Sequence, residues 1–442
     1  MAGTKFRTLL LVVLGLTGAL FWWFLDGAAP SFHPPSPEMG VWVAGKKGQY
    51  LLIREGQPFR IQGASGQGHY RELSAAGGNT LRVYDTLGLG AVLDSAHQYG
   101  LAVIADLPIP ASHFNDFYQD TAQTAALRRD LLGVIAQHKS HPALLLWNFG
   151  NEVNFGFEPG RRAFYRFFNQ TLSELQDLDA FHPFCTSLTT YRRRELLAAR
   201  LRTSGLDMLG FNSFGQISNQ ERNLKRFDWV WKGPYVLTEW GVNGYWENGF
   251  TAWRAPLELS SSYKCFQVAE HYKHNMPHQD PRFLGSCFFY WGTRHESTAT
   301  WFGVFDARGV QTPLYATLAA LWRSEPVPIP PVALEGVSIN GVYPNGDVFA
   351  RPGQDLYADV MLYEGKDSSF AVRWELRPED WYSPRWPFGP ASHTMHLQGQ
   401  PFNRQGIHFT APAEEGPFRL YAYISDANGL ISTANSPFYI IR

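Results

Sequence analysis

Leu144–Leu145–Leu146–Trp147–Asn148–Phe149–Gly150–Asn151–Glu152 is the stretch from which the fold of this sequence is read. An apolar run leads without interruption into a glycine, an amide and a carboxylate. Tyr235–Val236–Leu237–Thr238–Glu239–Trp240–Gly241 repeats the pattern, again ending an apolar run on a glutamate. Runs that are almost continuously apolar, rather than alternating, mark parallel strands covered on both faces. Working outward, strand candidates fall at 59–64, 80–84, 101–106, 144–148, 184–188, 208–212, 235–239 and 286–291. Helical patterns at 89–99, 121–138, 161–178, 257–271 and 313–322 lie between and after them. Eight strand–helix repeats predict a closed (β/α)8 TIM barrel of the α/β class rather than an open doubly wound sheet. No Gly-rich phosphate loop follows the first strand, which counts against the dinucleotide-binding alternative.

The 442 residues exceed one small domain and suit a barrel with an additional module. A hairpin-like stretch at 41–61 leads into the barrel, which is expected over 41–323. Four prolines, Pro326, Pro328, Pro330 and Pro331, mark a linker at 324–333. Beyond it, short alternating segments at 356–362, 370–376, 407–409, 419–424 and 438–441 predict an Ig-like β-sandwich over 334–442. At the other end, Lys5 and Arg7 precede an uncharged run at 9–25. This reads as a transmembrane anchor within 1–28, with the N-terminus in the cytoplasm and the remainder periplasmic or extracellular. A cleaved signal peptide ending near Ala28 and Ala29 is the rival reading. Residues 29–40 form a Pro-rich tether.

Composition narrows the chemistry. Hydrophobic residues at 45% allow a large core, and 38 basic against 39 acidic residues argue against a nucleic-acid binder. Aromatic residues reach 15%, which suits stacking on sugar rings as well as filling a core. Cys185, Cys265 and Cys287 are widely spaced and give neither a zinc pattern nor a disulfide framework. No His/Asp grouping has metal-site spacing, and no metal or cofactor is expected.

The carboxyl ends of barrel strands face the active site, so Glu152 and Glu239, ending strands four and seven, point to one mouth. Two carboxylates there are what acetal hydrolysis requires: one protonates the leaving oxygen and the other attacks or stabilises the anomeric carbon. With Thr80–Leu81–Arg82–Val83–Tyr84 on strand two and Trp291 on strand eight, the chain resembles a clan A retaining glycoside hydrolase. The likeness is to the family-2 type of barrel, with features shared by fungal-type β-1,3-glucanosyltransferases. It covers roughly 41–323.

The resemblance implies roles. Glu152 would be the acid/base, Glu239 the nucleophile that forms a glycosyl-enzyme, and Asn151 the partner of the sugar 2-hydroxyl. Arg82 would keep Glu239 ionised, and Trp291 would floor the −1 subsite. Asp85, Asp106 and Asn212 stand where sugar hydroxyls or loop amides are bound. Phe214 stands where relatives often place a tyrosine against the nucleophile, leaving Tyr84, Tyr245 or Tyr290 for that contact. Trp246 and Trp253 suit more distant sugars, and Glu296, His295 and Trp301 suit a substrate-contacting loop. The expected partner is a β-glycan of the envelope or an exported polysaccharide, with the membrane and a polysaccharide synthesis or export complex as neighbours. Hydrolysis, transglycosylation and a non-catalytic polysaccharide-binding scaffold are the three competing readings.

Overall fold

The computed structural model describes residues 40–442, apart from 47, 227, 344–345, 364–369, 380–393, 396, 398, 402–404 and 428, together with Gly15, Thr17 and Gly18. Except for those three residues, the anchor read over 9–25 lies outside the described residues, as does the tether at 29–39. Among the described residues, no helix is long and apolar enough to cross a membrane.

The chain forms two compact units. The first takes the described residues up to Gly63, then Asn79–Trp240 and Met276–Cys287; the second takes Ala64–Gly78, Gly241–Asn275 and Phe288–Arg442. The hairpin-like stretch is an antiparallel sheet of three strands, β1 (Val41–Lys46), β2 (Gln49–Arg54) and β3 (Gln57–Phe59). The eight expected barrel strands follow. They are β4 (Ile61–Gly66), β5 (Thr80–Val83), β6 (Ala102–Leu107), β7 (Leu144–Asn151), β8 (Phe184–Thr189), β9 (Met208–Asn212), β10 (Tyr235–Trp240) and β11 (Phe283–Trp291). They close into a barrel in which β10 meets β11 and β11 meets β4. β6 and β10 are buried at every position, which is why their sequences do not alternate. Closure needs a tight approach at Gly285, where an added Cβ would lie 2.0 Å from the Ile61 carbonyl oxygen.

One end of the barrel is sealed. Val41, Val43, Tyr50 and Leu52 of the leading sheet pack with Ala102, Leu145, Met208, Val236 and Leu284, which come from the starts of barrel strands. Backbone bonds tie that sheet to the loops preceding β8 and β11: the Val41 N–H donates to the Phe181 carbonyl and the Tyr50 N–H to the Pro281 carbonyl. The carboxyl ends of the strands are therefore left for chemistry.

The helices follow local rules. The helix α1 (Tyr70–Ala75) follows β4, and α2 (Leu89–Gln98) follows β5. The short α3 (Asn115–Gln119) leads into α4 (Thr121–His138), which starts where the Asp120 side chain accepts the Ala122 and Gln123 N–H groups. In α5 (Arg162–Leu178), Phe164, Phe168, Thr171, Leu172 and Leu175 recur at helical spacing and are all buried. Two helices without a clear sequence signal, α6 (Arg193–Arg202) and α7 (Ile217–Arg226), follow β8 and β9. The pattern expected from 257 begins only at α8 (Ser261–Glu270), because Ser260 is an extended N-cap and Glu258 is drawn into a buried ion pair with Lys264. A last helix, α9 (Pro313–Trp322), carries proline at its first turn.

Within the second unit the C-terminal strands make two four-stranded sheets. One orders β12 (Leu334–Ile339), β14 (Asp355–Leu362), β17 (Gly406–Thr410) and β16 (Gly399–Pro401). The other orders β13 (Phe349–Ala350), β19 (Ile431–Ile440), β18 (Gly416–Asp426) and β15 (Phe370–Pro378). Val337, Ala358, Val360 and Phe409 from the first pack with Phe418, Leu420, Ile424 and Phe438 from the second, the core of a sandwich. In β14 the buried Leu356 and Ala358 alternate with the exposed Asp355 and Tyr357, the period of two that distinguishes these strands from the barrel's.

Candidate active site

The end of β7 is built to leave its strand. Its register with β8 shifts between Asn148 and Asn151, and Gly150 adopts φ +82°. A side chain there would be strained and would also meet Val153 Cγ1 at 2.8 Å. Glu152 and Asn154 follow with φ +52° and +59°, a left-handed conformation that non-glycine residues rarely adopt. The Glu152 N–H is nevertheless satisfied, donating to the Ser187 carbonyl of β8 at 2.8 Å. Strain held by surrounding bonds in this way is a feature of working sites.

Arg82, on β5, organises the cluster. It is fully buried, and its guanidinium grips Asp106 of β6 through Nε at 3.0 Å and Nη2 at 2.7 Å. Nη2 also donates to Asn151 Oδ1 at 2.9 Å, and Nη1 donates to Glu239 Oε1 at 2.9 Å and the Thr238 carbonyl at 3.1 Å. Burial works against the guanidinium's charge, but Asp106, then Tyr84 and Glu239, more than restore it. Arg82 stays protonated. Burial likewise pushes the Asp106 carboxyl up while the guanidinium and the Asn148 amide pull it down. The bidentate geometry is that of an ion pair.

Tyr84 completes the setting of the strand-seven carboxylate. Its hydroxyl donates to Glu239 Oε1 at 3.1 Å, and its ring lies against Arg82 with 4.7 Å between guanidinium carbon and ring centre. Of the three tyrosines named for that contact, Tyr84 makes it; Phe214 is buried. Both donors favour the ionised form of Glu239. The strand-four carboxylate is set differently. Asn212, ending β9, donates from Nδ2 to Glu152 Oε1 at 2.8 Å and to Asn151 Oδ1 at 3.1 Å. Asn212 is oriented in turn by the Thr238 hydroxyl, which donates to its Oδ1 at 2.9 Å. A chain of Ser187, Thr238, Asn148 and Cys185 side chains continues this network inward.

Glu152, Glu239, Arg82, Asn151, Asn212 and Tyr84 are thus joined by hydrogen bonds within the first unit. Other sequence candidates stand elsewhere. Asp85 is exposed and accepts the Leu87 N–H, closing its own turn. Trp291 belongs to the second unit, fully buried among Phe305, Tyr315 and Trp322, its indole N–H donating to the His69 carbonyl. Glu296, also in that unit, is buried and pairs with Arg294 at 2.7 Å. Trp246 is 50% exposed, with Tyr245 edge-on to it. Among the described residues no group of three His, Cys, Asp or Glu side chains is placed to hold a metal ion. The three cysteines are free thiols, all buried.

No protein-family model matches the sequence, and no curated protein matches it. Solved structures do. β-Glucuronidase 2 of Bacteroides uniformis, covalently bound to cyclophellitol-6-carboxylate aziridine, is similar over 91% of this chain and 48% of its own, at 15% identity and a TM-score of 0.50. The β-D-glucuronidase of Dictyoglomus thermophilum is similar over 65% of this chain and 54% of its own, at 18% identity and a TM-score of 0.50. The β-glucuronidase of Bifidobacterium dentium, complexed with coumarin-3-O-glucuronide, covers 65% and 49% at 14% identity and a TM-score of 0.50. The chain spans about half the length of these structures. At such identities the likeness is one of fold: the chain shares the closed eight-stranded barrel with these β-glucuronidases.

Proposed function

We propose that this protein is a retaining glycosidase acting on β-linked glycans, with Glu239 as nucleophile and Glu152 as acid/base. The observation that carries the reading is the asymmetric setting of the two carboxylates. Glu239 receives a guanidinium N–H and a tyrosine hydroxyl, which favour its anion, whereas among the described residues the Glu152 carboxyl receives the neutral Asn212 amide. In the first step a Glu239 oxygen bonds to the anomeric carbon as the glycosidic C–O bond breaks, and Glu152 gives its proton to the departing oxygen. In the second, Glu152, now a carboxylate, takes a proton from water, whose oxygen displaces Glu239 and restores both groups. Asn151, held by Arg82 and Asn212, is the group for the sugar 2-hydroxyl. A sugar hydroxyl replacing water in the second step would make the same machinery a transglycosidase. We also propose that residues 9–25 anchor the chain with its barrel outside the membrane, which protease accessibility in intact cells against lysates tests.

A screen of β-glucan, β-mannan, β-galactan and β-glucuronide oligosaccharides, with products identified by mass, gives the substrate and separates hydrolysis from transfer. A 2-deoxy-2-fluoro glycoside of the substrate found should then leave a covalent sugar on the peptide carrying Glu239. Labelling elsewhere, or products of inverted anomeric configuration by NMR, would refute the mechanism.

A further inference from the structure

The loop that carries Glu152 is pinned by a third, buried carboxylate that the reaction itself does not use. Glu195 lies in the first turn of α6, at the end of the run Arg192, Arg193 and Arg194, and is only 5% exposed. A glutamate buried at the head of so basic a helix needs a reason. Its Oε1 accepts the Phe155 N–H at 3.3 Å, three residues beyond Glu152, and its Oε2 accepts the Thr189 hydroxyl at 3.0 Å. Thr189 ends β8, the strand whose Ser187 carbonyl receives the Glu152 N–H. Glu195 therefore ties the loop after β7 to the strand that fixes Glu152, across a segment where Glu152 and Asn154 are both left-handed. The far side of the loop is held separately, by Arg161 donating to the Asn154 carbonyl and by the Ser112 N–H donating to the Val153 carbonyl.

We infer that Glu195 is a positioning residue for Glu152, locking the loop that carries it. The inference rests on the reading of Glu152 as the acid/base. The charged groups acting on Glu195 are Arg192, just before its own helix, and Glu152 on the loop after β7; Thr189 from β8 and the Phe155 amide are its neutral donors. Burial pushes Glu195 above the usual carboxylate range, Thr189, Arg192 and Phe155 pull it down, and Glu152 pushes it up again.

The decisive pair is Glu195→Ala, which leaves both donors without an acceptor, and Glu195→Gln, whose amide can still meet Phe155 and Thr189. Hydrogen exchange of the amides at 152–157, followed by mass spectrometry, reads the lock without any turnover: it should quicken roughly tenfold in Glu195→Ala and stay near the native rate in Glu195→Gln. Glu195→Ala should lose roughly 10²-fold on an alkyl β-glycoside, which needs the acid, and Glu195→Gln should recover most of that loss. Glu195→Ala should lose much less on a dinitrophenyl β-glycoside, which does not need the acid. Unchanged exchange in a folded Glu195→Ala, or equal losses on the two glycosides, would overturn the inference and leave the glycosidase reading standing. Quickened exchange in a chain whose native form turns over no β-glycoside would uphold the lock and remove the glycosidase reading instead.

Discussion

Two buried arginines, one in each unit, show how the same chemistry can be arranged to seal a structure or to open a site. Arg419 of β18 is as buried as Arg82. It donates to Glu379 at 2.6 Å, Asn435 at 2.6 Å and the Pro256 carbonyl at 2.7 Å. Asn435 passes the network to Glu258, which also accepts Lys264, Thr298 and Thr300. Every donor there ends on a group closed off from water: the Glu258 side chain is 1% exposed and that of Glu379 3%. Arg82 is equally satisfied, but its network runs outward, to Glu239 at 9% side-chain exposure and to the half-buried Asn151 and Glu152. Both clusters bear the desolvation of buried ions. Only the first unit's ends on groups that are partly exposed, Asn151 and Glu152.

The largest test of that contrast is on turnover. Glu239→Gln or Glu152→Gln should lower kcat on the order of 10⁴-fold with a natural leaving group, while thermal melting stays close to the native value. Native-like turnover by both would end the enzymatic reading. Next come the arginines themselves. Arg82→Met and Arg419→Met each strand a buried carboxylate, and each should cost about 3–5 kcal/mol in urea unfolding. The two should part in the assay: the folded fraction of Arg82→Met should be inactive, and that of Arg419→Met should turn over a small β-glycoside at close to the native rate. Equal loss of kcat in both would erase the distinction between a sealing and an opening cluster. Smaller again is Tyr84→Phe, which removes a donor to Glu239 Oε1 and should slow the reaction roughly tenfold, about 1.4 kcal/mol. A change confined to KM would mean that Tyr84 touches substrate rather than setting the carboxylate.

How much of this was legible in the sequence depended on periodicity. Apolar strands that stop on Glu152 and Glu239 carry their own signal, and so does the switch to a period of two in the sandwich. The partners of those residues do not. Tyr84 and Glu239 are 155 positions apart, so the sequence offered Tyr84, Tyr245 and Tyr290 on equal terms, and closure of the barrel is what brings Tyr84 to Glu239. Asp106 was visible as a strand-end carboxylate, but its bidentate grip on Arg82 depends on β5 and β6 being neighbours in register. Glu195 gave no signal, because an arginine-rich turn reads as a solvated face and α6 buries little beyond Glu195, Leu196, Ala198 and Ala199. The head of α8 misled for a related reason: Glu258 looks like an ordinary first-turn glutamate until Lys264, Thr298 and Asn435 are brought around it. The expectation of a sugar-facing Trp291 came from the family resemblance. In the structure its indole is enclosed and its N–H satisfied by His69.

A third buried carboxyl has neither arrangement. Asp207, just before β9, is 4% exposed, and its partners are the Phe184 N–H at 2.8 Å and the Gln176 amide, both neutral. Burial outweighs those two bonds and pushes its carboxyl up to about 7. The folded state therefore prefers the protonated form more than the unfolded chain does. The stability this contributes is full below the ordinary aspartate range, near pH 4, and is lost as pH rises through about 7. Asn at this position keeps an acceptor for Phe184 without an ionisable proton. Asp207→Asn should thus unfold at higher urea than the native chain at pH 8, by on the order of 1–3 kcal/mol, with the advantage shrinking toward zero at pH 5. An advantage that is constant across that range would mean that Asp207 is ionised in the fold, and that burial without a cationic partner does not keep its proton.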